Sequence, residues 1–228
     1  MANKSLDVLS TISIEDFIES KYNKKAYLIV LIGLDGVGKS TQIKYIQDII
    51  TKNNYSVFTP INESLKPYKA LFEKISLEAG YDNRLDLLGL ETDQLLISLI
   101  KWNSMVKIAN ALDKENTFIV MDRYTYCFLA SAKCRGAKNE SLINRMFEFF
   151  PKPDLTLFLD VPPKEAFNRI NKRGTDSMEL SFLEKHYSAY MDLQEAKNFE
   201  FIDGTKSIEE VRLEIYKRIN RYFPFIKI

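Results

Sequence analysis

Tyr27-Leu28-Ile29-Val30-Leu31-Ile32-Gly33-Leu34-Asp35-Gly36-Val37-Gly38-Lys39-Ser40 decides how this chain folds. A run of β-branched and aliphatic residues ended by glycine reads as a central parallel strand, buried on both faces. Residues 33–40 match G-x-x-x-x-G-K-S. The glycines permit tight turns and close backbone approach, so that consecutive N–H groups can point inward at anionic oxygens. Ile43, Ile46, Ile49 and Ile50 then recur at helical spacing. Strand, glycine loop and helix stand in the order a phosphate cradle requires, with the positive helix N-terminus aimed at the anion. In that setting Gly33, Gly36, Val37, Gly38 and Thr41 belong to the cradle, Lys39 holds the β- and γ-phosphates, and the Ser40 hydroxyl ligates Mg²⁺.

Outward from this segment the chain alternates strand and helix signals. Strands are expected at 56–59, 118–121, 155–159 and 199–202. Pro67 suits the first turn of a helix. Thr92 is expected to cap one long amphipathic helix carrying Leu95, Leu96, Leu99, Ile100, Val106 and Leu112. Pro162 and Pro163 open another. Ser207 and Glu210 form a capping box before a last helix whose inner face is Ile208, Val211, Ile215 and Ile219. Alternating elements call for a parallel sheet with helices on both sides, and ligands sit beyond the carboxyl ends of such strands. Residues 33–40, Asp122-Arg123-Tyr124 and Asp160 all fall at those ends. Residues 1–25 read as an N-terminal extension before a domain spanning 26–228, with Ser13 a candidate helix cap. That extension could pack on the domain or on a partner.

Composition sets the class. The 228 residues suffice for one sizeable domain. A net charge of +1 gives no global field for nucleic acid or an anionic membrane, so local basic clusters must carry phosphate recognition. Cys127, Cys134 and the single His186 lack metal-ligand spacing, and reduced thiols in a cytoplasmic protein are the simplest reading. No apolar run is long enough to span a bilayer, and acidic residues among the first nineteen are unlike a signal peptide.

Asp122 and Arg123 follow a buried strand beside the cradle. An aspartate there can take Mg²⁺ directly or through water, and a guanidinium can neutralise two phosphates at once. Phosphoryl transfer needs little beyond alignment and charge neutralisation. A surface ion pair at a strand end is the plainer alternative.

From about residue 27 to about residue 221 the sequence resembles thymidylate kinase. The landmarks are Gly-Leu-Asp-Gly-Val-Gly-Lys-Ser-Thr-Gln at 33–42, Asp122-Arg123-Tyr124, and Pro-Asp-Leu-Thr-Leu-Phe-Leu-Asp-Val-Pro-Pro at 153–163. Arg169, Arg173-Gly174 and Asp-Gly-Thr-Lys-Ser-Ile at 203–208 follow. The resemblance implies a P-loop NTPase fold of the α/β class, with a central parallel sheet of about five strands flanked by helices and a short lid. It also implies a homodimer and transfer of the γ-phosphoryl group of ATP to dTMP with Mg²⁺. By the same resemblance Asp35 contacts the acceptor's sugar, Arg123 bridges the two phosphates, and Asp122 supports the metal. Arg173 is then a catalytic lid arginine, Arg169 lies on the adenine side, and Thr205 and Lys206 line the adenine pocket. Tyr124 and Cys127 fall in the acceptor region.

Departures concentrate on the acceptor side. Thr59-Pro60-Ile61-Asn62-Glu63 lacks the arginine the family often places there. Ile97 stands where an aromatic stacks on thymine, Lys101 where an arginine reads the pyrimidine, and Cys127 where a small hydroxyl is common; Asp176 is followed by Ser177. Ile97 could equally be core, Lys101 a solvated lysine, and the 169–173 cations an exposed helix end. His186 reads as structural and Asp160 as a strand-end cap. Functions left open are phosphorylation of dTMP, of another or modified pyrimidine monophosphate, a nucleotide-dependent switch or ATPase, and a non-catalytic nucleotide-binding module.

Overall fold

The computed structural model describes residues 14–60, 63–174 and 178–227. Five strands, β1 (Tyr27–Ile32), β2 (Ser56–Phe58), β3 (Thr117–Asp122), β4 (Leu155–Asp160) and β5 (Glu200–Asp203), form one parallel sheet in the order β2-β3-β1-β4-β5. The three central strands are buried along nearly their whole length, whereas the short edge strands are partly exposed. Continuous apolar runs and short edges are what a sheet covered on both faces needs.

The helices are α1 (Ile14–Tyr22), α2 (Lys39–Lys52), α3 (Lys66–Glu78), α4 (Arg84–Leu88), α5 (Leu90–Val106) and α6 (Ala109–Leu112), then α7 (Thr125–Arg135), α8 (Glu140–Phe147), α9 (Pro163–Arg173), α10 (Leu180–Met191) and α11 (Ile208–Tyr222). A 3₁₀ turn covers Gln194–Asn198. Ile43, Ile46, Ile49 and Ile50 bury the inner face of α2. Pro67 lies in the first turn of α3, and Pro162 and Pro163 open α9. The capping box of α11 is formed in both directions, Glu210 N–H donating to Ser207 Oγ at 3.3 Å and Ser207 N–H to the Glu210 carboxylate at 3.0 Å.

Four expectations change. The long helix does not start from a Thr92 cap. Asn83 caps α4 through Leu85 and Asp86 N–H, Gly89 breaks the chain at φ 73°, and α5 restarts at Leu90 with Thr92 already inside it. Leu112 belongs to the separate α6. The buried face of α5 is mostly polar, with Asp93, Gln94, Ser98, Lys101 and Ser104 inside and Leu99 47% exposed. In α11, Ile208 is exposed at the first turn, while Val211, Ile215 and Ile219 are buried. Strand limits move by about one residue, within the ordinary scatter of element ends.

Residues 14–22 pack on the same body as the sheet. Phe17 is fully buried against Trp102 and Phe150, with ring centroids 5.9 and 4.9 Å away. Lys24 pairs with Asp154 at 2.5 Å, and the Lys25 and Ala26 N–H groups donate to Leu112 O. The Ser13 cap, Ile61, Asn62 and the Asp176-Ser177 departure lie outside the described residues.

Candidate active site

The β1–α2 loop is shaped by glycines that no other residue can replace without strain. Gly36 has φ 80°, and a Cβ there would lie 2.7 Å from Ile170 Cγ1 and 3.0 Å from Ala166 O of α9. Gly38 has φ 97° with open space around it, so its requirement is conformational alone. Val37 turns its side chain into the core at 4% exposure, leaving its backbone to the loop. Lys39 is buried, and its ammonium donates to Leu34 O at 2.7 Å and Gly33 O at 3.2 Å. Burial, then the charge of Arg123, pushes Lys39 down to about 8, against the pull of Asp35 and Asp122. The group is held where an arriving polyphosphate can take its proton-rich end from two neutral carbonyls.

β1 and β3 pair with Leu31 opposite Asp122, which brings the end of β3 beside the loop. Ser40 Oγ donates to Asp122 Oδ2 at 3.1 Å, and Asp122 Oδ1 is buried without a partner among the described residues. An orphaned carboxylate oxygen beside a hydroxyl suits a hard divalent cation completed by phosphate oxygens and water. Among the described residues no cluster of three or more His, Cys, Asp or Glu could hold a metal unaided. Ser40 and Asp122 therefore fit Mg²⁺ arriving with the nucleotide.

Arg123 takes φ 76°, an uncommon conformation for a residue with a side chain, and its N–H donates to Leu31 O at 3.0 Å. From there its guanidinium pairs with the Asp35 carboxylate. Burial works against the charge of both groups; the ion pair prevails, holding Asp35 below the usual carboxylate range and Arg123 further up. Asp35, Lys39, Ser40, Asp122, Arg123 and Arg173 border a cavity of about 170 Å³ together with Gly36, Gly38 and Thr41.

A second cavity, of about 360 Å³, lies against the same pair. Asp35 and Arg123 border it too, and Ile97, Lys101 and Cys127 meet there. Lys101 is buried, its ammonium donates to the Glu63 carbonyl, and burial followed by Arg123 pushes it down to about 8. Tyr124 does not join them. Its side chain is 1% exposed and its hydroxyl donates to Pro151 O at 2.5 Å. The acceptor-side role expected of its side chain has no support in this placement.

Gln94, Ser98, Lys69, Arg135 and Phe182 were not expected at a site and His186 was read as structural, yet all six border the second cavity. The first two had a signal: Gln94, Ser98 and Lys101 repeat at helical spacing, a polar stripe alongside Leu95, Leu96, Leu99 and Ile100. The other four come from three different helices and have no local signature.

On the far side of the loop, Asp160, Pro162, Tyr187 and Thr205 border an open cavity of about 590 Å³. Tyr187 O–H donates to Asp160 Oδ1 at 2.9 Å, as a strand-end cap would have it. Arg169 pairs with Glu165 and donates to Gly204 O at 3.0 Å, bracing the turn that carries Thr205 rather than facing the cavity. Lys206 is exposed beside Thr205 and outside the cavity wall.

The thymidylate kinase family model matches residues 32–215. A "Probable thymidylate kinase" of Pyrococcus horikoshii is 30% identical over 197 residues, covering 84% of this chain and 94% of that protein. One from Archaeoglobus fulgidus is 30% identical over 205 residues, covering 88% and 98%. A bacterial "Thymidylate kinase" from Thermoanaerobacter is 26% identical over 207 residues, covering 87% and 99%. The matched span runs from the last residue of β1 into α11 and takes in both cavities; this chain belongs to the thymidylate kinase family.

Proposed function

We propose that the protein transfers the γ-phosphoryl group of ATP to dTMP, giving dTDP and ADP. One observation carries the proposal: Asp35 and Arg123 border both the phosphate cradle and the larger cavity beside it. A guanidinium at that junction can bind donor and acceptor phosphates together, offsetting the repulsion between them. Family membership supports the identity of the two substrates.

The triphosphate enters over the loop amides, and Lys39 leaves the Leu34 and Gly33 carbonyls for the β- and γ-oxygens. Mg²⁺, held through Ser40 and Asp122, would supply further neutralisation of the phosphate oxygens. An oxygen of the acceptor phosphate attacks Pγ, the bond from Pγ to the β–γ bridging oxygen breaks, and ADP leaves with that electron pair. Arg123 stays on the oxygens that gain charge, and Arg173 reaches the same cavity from the C-terminus of α9. Asp35, released from Arg123 in part, accepts a hydrogen bond from a hydroxyl of the acceptor's sugar. Thr205, with Lys206 beside it, receives the adenine end.

An assay of ADP formation across a panel of monophosphates tests this. dTMP is expected among the best acceptors, and its absence from them would overturn the assignment. A different pyrimidine monophosphate is the second reading, favoured by Lys101, a flexible point charge where a planar fork would read a base edge more rigidly. A cytoplasmic setting suits the free thiols of Cys127 and Cys134. Among the described residues no helix is long and apolar enough to cross a membrane. A homodimer is the assembly we propose, on the ground of membership in the thymidylate kinase family. Sedimentation velocity at micromolar concentration would show one species of twice the chain mass, and a monomer throughout would refute it.

A further inference from the structure

Asp93 is fully buried on α5, where its carboxylate accepts from three side chains. Arg84 Nε donates to Oδ1 at 2.6 Å and Nη2 to Oδ2 at 3.3 Å, and Tyr68 O–H donates to Oδ1 at 2.9 Å. The third donor is the next residue, Gln94, whose Nε2 reaches Oδ2 at 3.2 Å. Clamped from α3 and α4, the carboxylate cannot turn away, and it fixes the amide beside it. Flipping that amide would set its oxygen against a carboxylate, acceptor against acceptor. Gln94 is 3% exposed and borders the acceptor-side cavity. With Nε2 held by Asp93, the corner of the amide left for the cavity is Oε1. That oxygen accepts no hydrogen bond among the described residues and is not one of their sealed polar atoms.

α5 gives the cavity its direction. Ser104 and Met105, near the C-terminal end of the helix, border a small cleft with Asp122 and Arg123. Gln94 lies ten residues earlier, roughly 15 Å back along the helix axis. It borders the acceptor-side cavity alone, whereas Asp35 and Arg123 also border the phosphate cradle. Gln94 therefore stands at the end remote from the phosphates, where the base of an acceptor lies. Apart from its phosphate, dTMP carries two hydrogen-bond donors, the 3′-hydroxyl and the N3–H of thymine. Asp35, at the phosphate junction, takes the first. An oxygen that can only accept, at the base end, is left with the second. Lys101, seven residues further along the same stripe, brings a group that can only donate. The two together complement an imide, a carbonyl beside an N–H. Cytosine instead presents a lone pair at N3, which repels Oε1.

We propose that Gln94 is a base-reading residue, its Oε1 accepting a hydrogen bond from the N3–H of thymine in the acceptor nucleotide. This rests on the dTMP reading, and the test separates the two. 5-Methyl-dCMP keeps the shape and the methyl group of dTMP and differs only at N3 and C4, so the pair isolates the imide. Wild type should favour dTMP by at least about 100-fold in kcat/KM, since a site built around a donor rejects an analogue that lacks it. Gln94→Met keeps the length of the side chain and removes the amide. It should raise KM for dTMP about tenfold, leave kcat and KM for ATP within about twofold, and shrink the preference for dTMP about tenfold. A residue with a packing role alone would not move that preference.

Wild type also answers without a variant. With dTMP carrying ¹⁵N at N3, the imino proton, lost to exchange in the free nucleotide, should appear on binding with a cross-peak to a glutamine side-chain amide. Gln42, Gln47 and Gln194 lie outside the cavity wall, so that amide is Gln94. Should Met fail to fold, this spectrum and the wild-type substrate ratio decide. Equal turnover of dTMP and 5-methyl-dCMP, a dTMP preference unchanged in folded Gln94→Met, or a bound imino proton with no glutamine partner would each overturn the proposal and leave the kinase reading standing. No transfer to dTMP would count against the dTMP reading itself.

Discussion

Arg123 is the residue on which the two cavities depend, and its positive φ is the conformational cost of placing it there. That cost is on the order of 1–3 kcal/mol, and the surrounding contacts must outweigh it. Replacing Arg123 with Ala should lower kcat by about 100- to 1000-fold while ATP affinity changes little, as loss of one donor aimed at transition-state charge does elsewhere. Equal turnover would remove Arg123 from the mechanism. Lys39 gives a prediction in pH. Its ammonium sits at about 8 without nucleotide, and a bound polyphosphate favours the charged form. Above pH 8, ATP binding should therefore take up protons and weaken as pH rises. Titration calorimetry at pH 8.5 in two buffers of different ionisation enthalpy reads this directly. The difference should vanish in Lys39→Met, and buffer-independent heats in wild type would contradict it.

At the scale of elements, the β1–α2 unit was almost wholly legible. A buried strand, a glycine loop and an isoleucine-faced helix are local features, set by residues within one turn or strand of one another. The capping box at Ser207 was legible for the same reason. α5 was not: its apolar residues suggested an inward face, yet its buried side is Gln94, Ser98 and Lys101 because that side walls a cavity. Periodicity reports which residues share a face and is silent on whether that face meets core or ligand. Two substitutions probe these elements. Gly36→Ala places a methyl 2.7 Å from Ile170 and holds a left-handed φ, so it should cost about 1–3 kcal/mol and cut ATP affinity. Ser207→Ala removes half of the capping box, with about 1 kcal/mol lost, a fall of roughly 2–4 °C in Tm, and kcat unchanged. Thermal unfolding beside a kinetic assay distinguishes the two, and a silent Gly36→Ala would show that the loop tolerates another conformation.

For the molecule as a whole, a parallel sheet of about five strands flanked by helices was foreseen, while its strand order and the convergence of α3, α5, α7 and α10 on one cavity were not. Lys69, Arg135 and His186 are separated by 117 positions at the extremes and carry no motif; only the packed fold brings them together. Tyr124 shows the converse, a residue inside a recognised motif whose side chain serves the core. The helix before β1 also belongs to the whole: Phe17→Ala should destabilise by about 3–5 kcal/mol, the usual cost of truncating a buried phenylalanine.

In the proposed reaction one guanidinium, that of Arg123, joins a donor site to an acceptor site. The most direct measurement follows the label from ATP carrying ³²P at the γ position, with magnesium, in the presence and absence of dTMP. Label is expected in dTDP, at a rate that depends on dTMP and falls at least about 100-fold in Arg123→Ala. Label released as inorganic phosphate at a rate indifferent to any monophosphate would contradict it.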